Sequence, residues 1–382
     1  MTWTSLAMLG WIAAGVAVAW LPPRRWQVPA FALFSAAFLA WHAPLSAALL
    51  AAFTVGTHLV VSSRAGPGRV LGAVAAVAGV LVAFKLGVTT EWGTSEAGAP
   101  SLVPLGLSFY ALRTIHVLME RYKGAPIEPS FESLAAYLFF LPILPAGPIA
   151  RLGDFRRELR RRRFDGAGFS RGLERILHGY AKIVILGNYL VSIRFAEWIT
   201  IEVDAGSAAA AYLDCLRYGL NLYFQFGGYS DVAIGFALLV GVRVAENFRW
   251  PFFADNIGEF WRRWHITLAE WCRDYVFMPV ASWSRSPSLA VVASMVVLGV
   301  WHELSPRYLA WGVYHGAGLA VWRAWSRRWP APRGARGPAA RLRRAGAVLL
   351  TFHFVLLSFA ITKEPDLAAA LGVYRALVGL AP

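Results

Sequence analysis

Two histidines in the second half of the chain have surroundings suited to proton transfer. His265 follows Arg262 and Arg263, and His302 is followed by Glu303. The positive charge of the two arginines predicts a neutral imidazole at His265 near pH 7, and the carboxylate of Glu303 could orient one ring nitrogen of His302. A neutral imidazole within reach of a hydroxyl is the usual general base for acyl transfer. On these residues alone, packing of both histidines between helices is an equally good interpretation.

Other catalytic chemistry has weaker support in the sequence. Two histidines with no third ligand in register argue against a metal site. The two cysteines, Cys215 and Cys272, have no CxxC partner and indicate neither a zinc site nor a disulfide framework. The sequence contains no G-x-S-x-G, P-loop or dinucleotide-binding fingerprint. If the chain transfers acyl groups, we therefore expect direct transfer without a serine triad.

Several further residues are candidates for substrate binding, because polar groups are costly to keep at membrane depth. These candidates are Arg262, Arg263, Trp264, Asp231, Tyr229, Gln225, Glu303 and Asn247. The other six histidines are interpreted as packing or interfacial groups: His42, His58, His116, His178, His315 and His353.

The composition is that of an integral membrane protein. Of 382 residues, 57% are hydrophobic and only 15% are charged, well below the roughly 25% charge of a soluble domain. The net charge of +15 would suggest nucleic acid as a partner in a soluble protein. Here the basic residues lie in short loops between apolar stretches, so they report orientation in the membrane. Membrane lipid is thus expected as a partner, and nucleic acid is not.

The apolar stretches are long enough for a protein that crosses the membrane many times, since one crossing takes ~20 residues. Candidate spans lie near residues 3–21, 28–43, 45–62, 70–88, 102–119, 174–197, 208–225, 288–303, 308–325, 347–362 and, more weakly, 367–380. The basic groups at 24–25, 64–69, 121–123, 156–163 and 323–344 then fall on one side, and the acidic loops at 91–96, 202–204 and 364–366 on the other. The positive-inside rule makes the basic side cytoplasmic, as in a bacterial inner-membrane protein.

Three segments depart from simple spanning helices. Residues 135–150 contain Pro142, Pro145 and Pro148 and have basic residues on both flanks, which predicts a re-entrant, broken hairpin, with a short kinked spanning helix as the alternative. The pair Gly227-Gly228 predicts an interruption of the preceding helix. Residues 256–278 have helical amphipathic spacing and predict one helix in the interface or lining a cavity, ending near Pro279.

At these residues the chain resembles the membrane-bound O-acyltransferase family, specifically its bacterial alginate O-acetyltransferase and teichoic-acid D-alanyl transfer branch. The matching blocks are Pro104-Leu105-Gly106-Leu107-Ser108-Phe109-Tyr110, Pro145-Ala146-Gly147-Pro148-Ile149, residues 226–235, Glu246-Asn247-Phe248, residues 260–268, Arg273-Asp274-Tyr275 and Trp301-His302. The resemblance covers about Pro104 to Gly316 and departs at Glu303, where relatives commonly have glycine.

The resemblance implies an all-α, polytopic membrane helix bundle with a re-entrant segment and a thin central core. It implies that His302 is the catalytic histidine and that His265 is the second conserved polar residue. We expect a single membrane domain over residues 1–382, with N-terminal helices in 1–100, a catalytic core in 101–325 and C-terminal helices in 326–382.

The expected function is O-acyl transfer. A short acyl group, acetyl in the favoured interpretation, would move from a cytoplasmic thioester to a hydroxyl of an extracytoplasmic polysaccharide or relay protein, such as an esterase-like partner. The donor would be acetyl-CoA or an acyl carrier protein, with no bound cofactor. Arg262, Arg263 and the basic segment around Arg160 could attract it, although orientation in the membrane alone is the favoured interpretation of that basic segment. The alternatives are D-alanyl transfer to a cell-wall polymer and a non-catalytic transport scaffold for an acyl carrier or lipid.

Overall fold

The computed structural model describes residues 6–63, 65–90, 104–125, 129–330 and 337–380. Within them the regular structure is helical: α1 (Leu6–Trp20), α2 (Arg24–His42), α3 (Pro44–Ser62), α4 (Pro67–Thr90), α5 (Leu107–Tyr122), α6 (Phe131–Leu138), α7 (Leu152–Arg161), α8 (Gly166–Tyr180), α9 (Ala196–Glu202), α10 (Ala208–Leu239), α11 (Ile257–Trp261), α12 (Ile266–Cys272), α13 (Met278–Ser284), α14 (Pro287–His302), α15 (Pro306–Arg328), α16 (Pro338–Lys363) and α17 (Leu367–Leu377). The acidic loop predicted at 91–96 lies outside the described residues.

The all-α membrane fold expected from the sequence is confirmed. Among the described residues, four helical stretches are long and apolar enough to cross a bilayer: Pro44–Ser62, Pro67–Leu86, Gly166–Glu202 and Pro338–Lys363. Shorter apolar helices lie at Ala7–Trp20, Pro287–His302 and Leu367–Leu377. The full set of spans counted from hydropathy stays a prediction, although each of those stretches contains a helix.

The chain forms two compact units. The first contains residues 1–181 and 228–245, and the second contains residues 182–227 and 246–382. In the first unit, α5 packs against α3, α4 and α6, and α2 packs against α1, α3 and α6. In the second unit, α14 packs extensively against α15, which also contacts α11 and α16. The expected single-domain organisation stays a prediction.

The proline-rich segment of the first unit is broken, as predicted, and does not form a single kinked helix. Its re-entrant course in the membrane stays a prediction. α6 ends at Leu138, a single 3₁₀ turn follows at Leu141–Ile143, and the chain then runs irregularly to α7. Nearly all of this segment is buried. Burial by protein is the condition under which irregular backbone is tolerated at membrane depth.

Gly106 connects this broken segment to the start of α5. It precedes α5 with φ +76°, and a Cβ built there would lie 2.6 Å from the carbonyl oxygen of Leu144. Both the left-handed backbone and the close approach require glycine. The Pro-Leu-Gly block and the proline-rich block of the sequence therefore meet at one contact.

We expect Gly106→Ala to destabilise the protein by about 1–3 kcal/mol, because the methyl group adds overlap to backbone strain. Thermal unfolding of the purified protein in detergent would measure the loss. The matched control is Gly79→Ala in the middle of α4, where a Cβ meets nothing within 4 Å. Equal unfolding temperatures for the two variants would contradict this account of the turn.

The predicted interruption at Gly227-Gly228 is wrong, because α10 continues through both glycines to Leu239. Within the first unit, α8 and α10 approach each other closely: a Cβ at Gly179 of α8 would lie 2.7 Å from the Gly228 carbonyl oxygen, and one at Gly235 of α10 would lie 2.6 Å from that of Gly172. Small residues serve such contacts between membrane helices. Gly179 and Gly235 therefore allow the two helices to pack closely, and α10 passes through Gly227 and Gly228 without a break.

The predicted amphipathic helix over 256–278 is also wrong as a single element. It is divided into α11 and α12, with a break at Arg262–His265, and a π-helical stretch, Arg273–Phe277, leads into α13, which continues past Pro279 to Ser284. A short break leaves the amphipathic spacing of the sequence nearly unchanged, because the apolar face of α11 continues in α12. The sequence pattern therefore did not reveal the break at which His265 lies.

Candidate functional site

The break between α11 and α12 is held open by a neighbouring segment of the second unit. The Arg249 amide donates to the Arg263 carbonyl and the Ile266 amide donates to the Asn247 carbonyl, both at 2.9 Å. The Asn247 side chain is fully buried and accepts a hydrogen bond from Thr267 at 2.6 Å. These hydrogen bonds take the place of the backbone hydrogen bonds that would join α11 to α12. The chain therefore turns at His265 and does not continue as one helix.

His265 lies at this turn in a left-handed conformation, with φ +43°. Its ring is only 2% exposed and lies edge-on to Phe226, with the ring centroids 4.6 Å apart. The ring also contacts Trp301 at 6.2 Å between centroids. A non-glycine residue in the left-handed conformation costs backbone energy, and such residues cluster at functional sites.

His265 is held neutral, but not for the reason expected from the sequence. Burial, and after it the charge of His302, lowers the pKa of His265 well below its ordinary value. Arg262 and Arg263 instead both form ion pairs with Glu259, at 2.6 and 2.8 Å. Glu259 thus offsets part of their charge, and burial, not the two arginines, is the main cause of the lowered pKa of His265.

His302 differs from His265 in being exposed. It is the last residue of α14, and its ring contacts Trp301, Tyr308 and Trp311, with centroids 4.8, 5.9 and 5.9 Å away. Trp301 contacts both histidines and thus links them. An accessible imidazole next to a buried neutral one is an arrangement in which a reacting hydroxyl could reach the first and be positioned by the second.

Glycines on α15 hold it close to α14, the helix that ends at His302. A Cβ at Gly312 would lie 2.6 Å from the Met295 carbonyl oxygen, and one at Gly316 would lie 2.8 Å from Val292 Cα. The two backbones therefore nearly touch, which brings the first turns of α15 against the end of α14. Tyr308 and Trp311, which the sequence analysis did not select, reach the His302 ring for this reason. Their i, i+3 spacing places both on one face of a helix that begins just after His302, and this spacing could have predicted the contact.

Glu303 forms an ion pair with Arg307, which also belongs to the second unit. Both of its carboxylate oxygens accept hydrogen bonds from Arg307, at 3.0 and 2.5 Å. The Arg307 guanidinium also donates to the backbone carbonyls of Thr362 and Glu364. The carboxylate of Glu303, next to His302 in the chain, is thus neutralised by a bidentate pair.

Arg307→Met should lower stability by about 2 kcal/mol, since it leaves a half-buried carboxylate and two carbonyls without their donor. The change would appear as a lower unfolding temperature in detergent. Arg171→Met removes an exposed pair with Asp165 at 3.7 Å and should have little effect. A loss no larger than that of Arg171→Met would contradict a stabilising role for Arg307.

The other predicted binding residues have defined surroundings. Trp264 is buried and stacks on Phe260 at 5.7 Å in an aromatic cluster. Gln225 donates to Asn188 at 2.5 Å in the second unit. Asp231 pairs with Arg175 at 2.6 Å in the first unit, which also contains Tyr229. Within the second unit the structure therefore brings together His265, His302, Asn247 and Trp264, and their roles toward a substrate stay predictions.

In the described part of the chain, no group of three or more histidine, cysteine, aspartate or glutamate side chains has an arrangement that could hold a metal ion. Acid–base and hydrogen-bonding chemistry is what the residues around His302 can supply.

The neutral state of His265 predicts a pH dependence of stability. Because its folded pKa lies below that of the unfolded chain, near 6.5, the unfolded state binds the proton first as the pH falls. Its stabilising contribution is therefore complete above pH 6.5 and is lost progressively below it. The unfolding temperature of wild type should fall between about pH 7.5 and about pH 5.5 more steeply than that of His265→Asn. Identical slopes for wild type and His265→Asn would contradict the assignment.

Comparison with known proteins agrees with this geometry. The model of MBOAT, the membrane-bound O-acyltransferase family, matches residues 100–358. The chain is 31% identical over 281 residues to the probable alginate O-acetylase of Pseudomonas aeruginosa, a match that covers 72% of this chain and 52% of that protein. It is 30% identical over 312 residues to the peptidoglycan O-acetyltransferase of Helicobacter pylori, covering 73% and 57%.

A third relative has a different acyl group in its name. The teichoic acid D-alanyltransferase of Bacillus subtilis is 28% identical over 278 residues, covering 67% of this chain and 68% of that protein. The chain spans about half the length of the alginate O-acetylases that it matches. The matched region includes the break at His265, the end of α14 and the aromatic residues around His302, and it occupies well over half of the sequence. This chain therefore belongs to the membrane-bound O-acyltransferase family.

Proposed function

We propose that this protein is an O-acyltransferase of the bacterial inner membrane that moves a short acyl group from a thioester on the cytoplasmic side to a hydroxyl on the other side. The observation that carries the proposal is the exposed ring of His302, held at the end of α14 among Trp301, Tyr308 and Trp311. The basic loops supply the orientation.

In the proposed reaction, His302 accepts the proton of the acceptor hydroxyl as its oxygen attacks the thioester carbonyl carbon. The carbon–oxygen bond forms, the tetrahedral intermediate collapses, and the carbon–sulfur bond breaks. The departing thiolate takes the proton from the imidazolium of His302, so the enzyme returns to its initial state. His265, neutral and buried, positions the carbonyl or the hydroxyl by hydrogen bonding.

Acetyl is the favoured acyl group, with acetyl-CoA or an acyl carrier thioester as donor and an extracytoplasmic polysaccharide, or a relay protein that passes the group on, as acceptor. Two relatives with 30% identity or more are named for O-acetylation, of alginate and of peptidoglycan. D-alanyl transfer to a cell-wall polymer is the second candidate, because the B. subtilis relative is matched over similar shares of both chains.

The test is acyl transfer by the purified protein in proteoliposomes. Radiolabelled acetyl-CoA and carrier-bound D-alanine are supplied in separate reactions, each with alginate, peptidoglycan fragments or teichoic acid as acceptor. We expect alkali-labile label on a polysaccharide with the acetyl donor and a strong loss of that label with His302→Ala. Transfer of D-alanine alone would replace the acyl group in the proposal. Movement of donor or lipid across the bilayer without any ester formation would overturn it in favour of a transport scaffold.

A further inference from the structure

A pocket of about 440 Å³ lies in the first unit, formed by residues that the proposed reaction does not use. Aromatic and basic side chains dominate its lining, together with two carboxylates. The aromatic side chains are Trp20, Phe164 and Phe169, and the basic ones are Arg161, Arg163 and Arg243.

One wall of this pocket is rigidly built around Trp20. The indole Nε1 donates to the Leu239 carbonyl at 2.8 Å, and the Arg162 guanidinium lies 4.0 Å from the ring centroid. Arg162 is itself fixed by hydrogen bonds to the Val240 carbonyl at 2.7 Å, the Gln27 side chain at 2.7 Å and the Ala19 carbonyl. A fixed wall loses little conformational entropy when a ligand binds.

The chain next to this wall is shaped for the same contact. Gly241 has φ +79°, and a Cβ there would lie 2.8 Å from the Trp20 ring. Phe164 contacts the edge of Trp20 at 5.5 Å and also contacts Phe169 at 5.8 Å. The aromatic side of the pocket is thus a continuous cluster, and Phe164 at its rim is 62% exposed.

The charges around the pocket favour an anion. Arg161, Arg163 and Arg243 are all exposed, and none forms an ion pair with a carboxylate in the described part of the chain. Of the two acidic residues, Asp165 caps α8 by accepting from the Gly168 amide and lies 3.7 Å from Arg171, so its charge is compensated outside the pocket. Three guanidinium groups therefore face one remaining carboxylate, that of Glu158.

The pocket also lies where three helices of the first unit end. Trp20 ends α1, Leu239 ends α10, and Gly168 is in the first turn of α8, which begins the apolar stretch Gly166–Glu202. The ends of apolar helices mark the level of the lipid headgroups, where Trp is enriched. Basic pockets between membrane helices on the cytoplasmic side bind anionic lipid headgroups.

We propose that this pocket binds the phosphate headgroup of an anionic phospholipid such as phosphatidylglycerol. The arginines contact the phosphate, and the exposed Phe164 lies against the beginning of an acyl chain. The exposed aromatic rim favours a lipid over a soluble phosphate compound, which would leave that apolar surface in water. The proposal is independent of the acyl-transfer reaction.

Lipid binding is tested on the whole purified protein. Native mass spectrometry would count retained phosphatidylglycerol, and thermal unfolding would be followed as phosphatidylglycerol, phosphatidylcholine, inorganic phosphate or coenzyme A is added. Phosphatidylglycerol should be retained and should raise the unfolding temperature more than phosphatidylcholine. The triple variant R161Q/R163Q/R243Q should bind it about 100-fold more weakly, as expected for the loss of three arginine–phosphate contacts.

The matched control is R156Q/R157Q/R160Q, which removes the same charge from α7 at residues that do not line the pocket. It should keep near wild-type affinity. Equal weakening by the two triple variants would overturn the proposal in favour of a diffuse charge effect. Stabilisation by coenzyme A or inorganic phosphate without selectivity for phosphatidylglycerol would overturn it in favour of a soluble anion. If the pocket variant does not fold, the surface change Phe164→Ser should still weaken retention of phosphatidylglycerol, and unchanged retention would count against the site.

Discussion

His302→Ala should reduce acyl transfer by about 1,000-fold while leaving the fold intact, within the range that a general base contributes. The ring is exposed at the end of α14, so its removal leaves no cavity in the core. The initial rate of ester formation in proteoliposomes would measure the effect, with the unfolding temperature of the same preparation as the test of folding. A loss of rate with an unchanged unfolding temperature is the expected pair of results.

His178→Ala is the matched control, since His178 is also exposed on a helix but lies in the first unit. It should retain the wild-type rate. Transfer at a wild-type rate by His302→Ala would remove the proton-accepting role from this residue. An equal loss in both variants would indicate a general effect of histidine removal on the preparation.

His265→Asn should lower kcat/KM by about 100-fold, as expected for the loss of a group that positions reacting atoms by hydrogen bonding. Asparagine tolerates the left-handed conformation of this position, so the variant should fold. His265→Val removes the same group but adds a β-branched side chain at φ +43°, which should destabilise the protein by about 1–3 kcal/mol in addition. Transfer rates and unfolding temperatures of the two variants separate chemistry from backbone strain.

Arg285 provides the control for this pair, because it is another left-handed residue, with φ +53°, but is exposed at the end of α13. Arg285→Asn should change neither rate nor stability, and Arg285→Val should reproduce only the strain. A normal rate in His265→Asn would show that His265 serves the turn alone.

The sequence identified the region of the candidate site because histidines and charged residues are unusual within the apolar segments of a membrane protein. Two histidines next to Trp and charged residues are costly in apolar surroundings, so they stand out without any structure. The break near the prolines at 142, 145 and 148 was equally predictable, because proline removes a backbone donor and disrupts helical hydrogen bonding.

The local geometry of His265 was not predictable from residue spacing. The turn exists because Asn247, distant in the sequence, accepts from the Ile266 amide and from Thr267. A contact of this kind leaves no periodic signal, since the apolar face of α11 resumes in α12. Residue spacing likewise did not reveal that α10 continues through Gly227-Gly228, where the Gly228 carbonyl lies against Gly179 of α8.

The sequence showed which charged residues lie near the two histidines, but the structure changed the partners assigned to them. Arg262 and Arg263 were expected to lower the pKa of His265, but both form ion pairs with Glu259, three and four residues earlier in the chain. Arg307 compensates Glu303 in the same way. The sequence by itself determined the helical membrane fold, the family and the two histidines, because hydropathy and residue type act locally. Tertiary structure alone decided which imidazole is buried and which is exposed, since burial and ion pairing depend on neighbours that packing brings together.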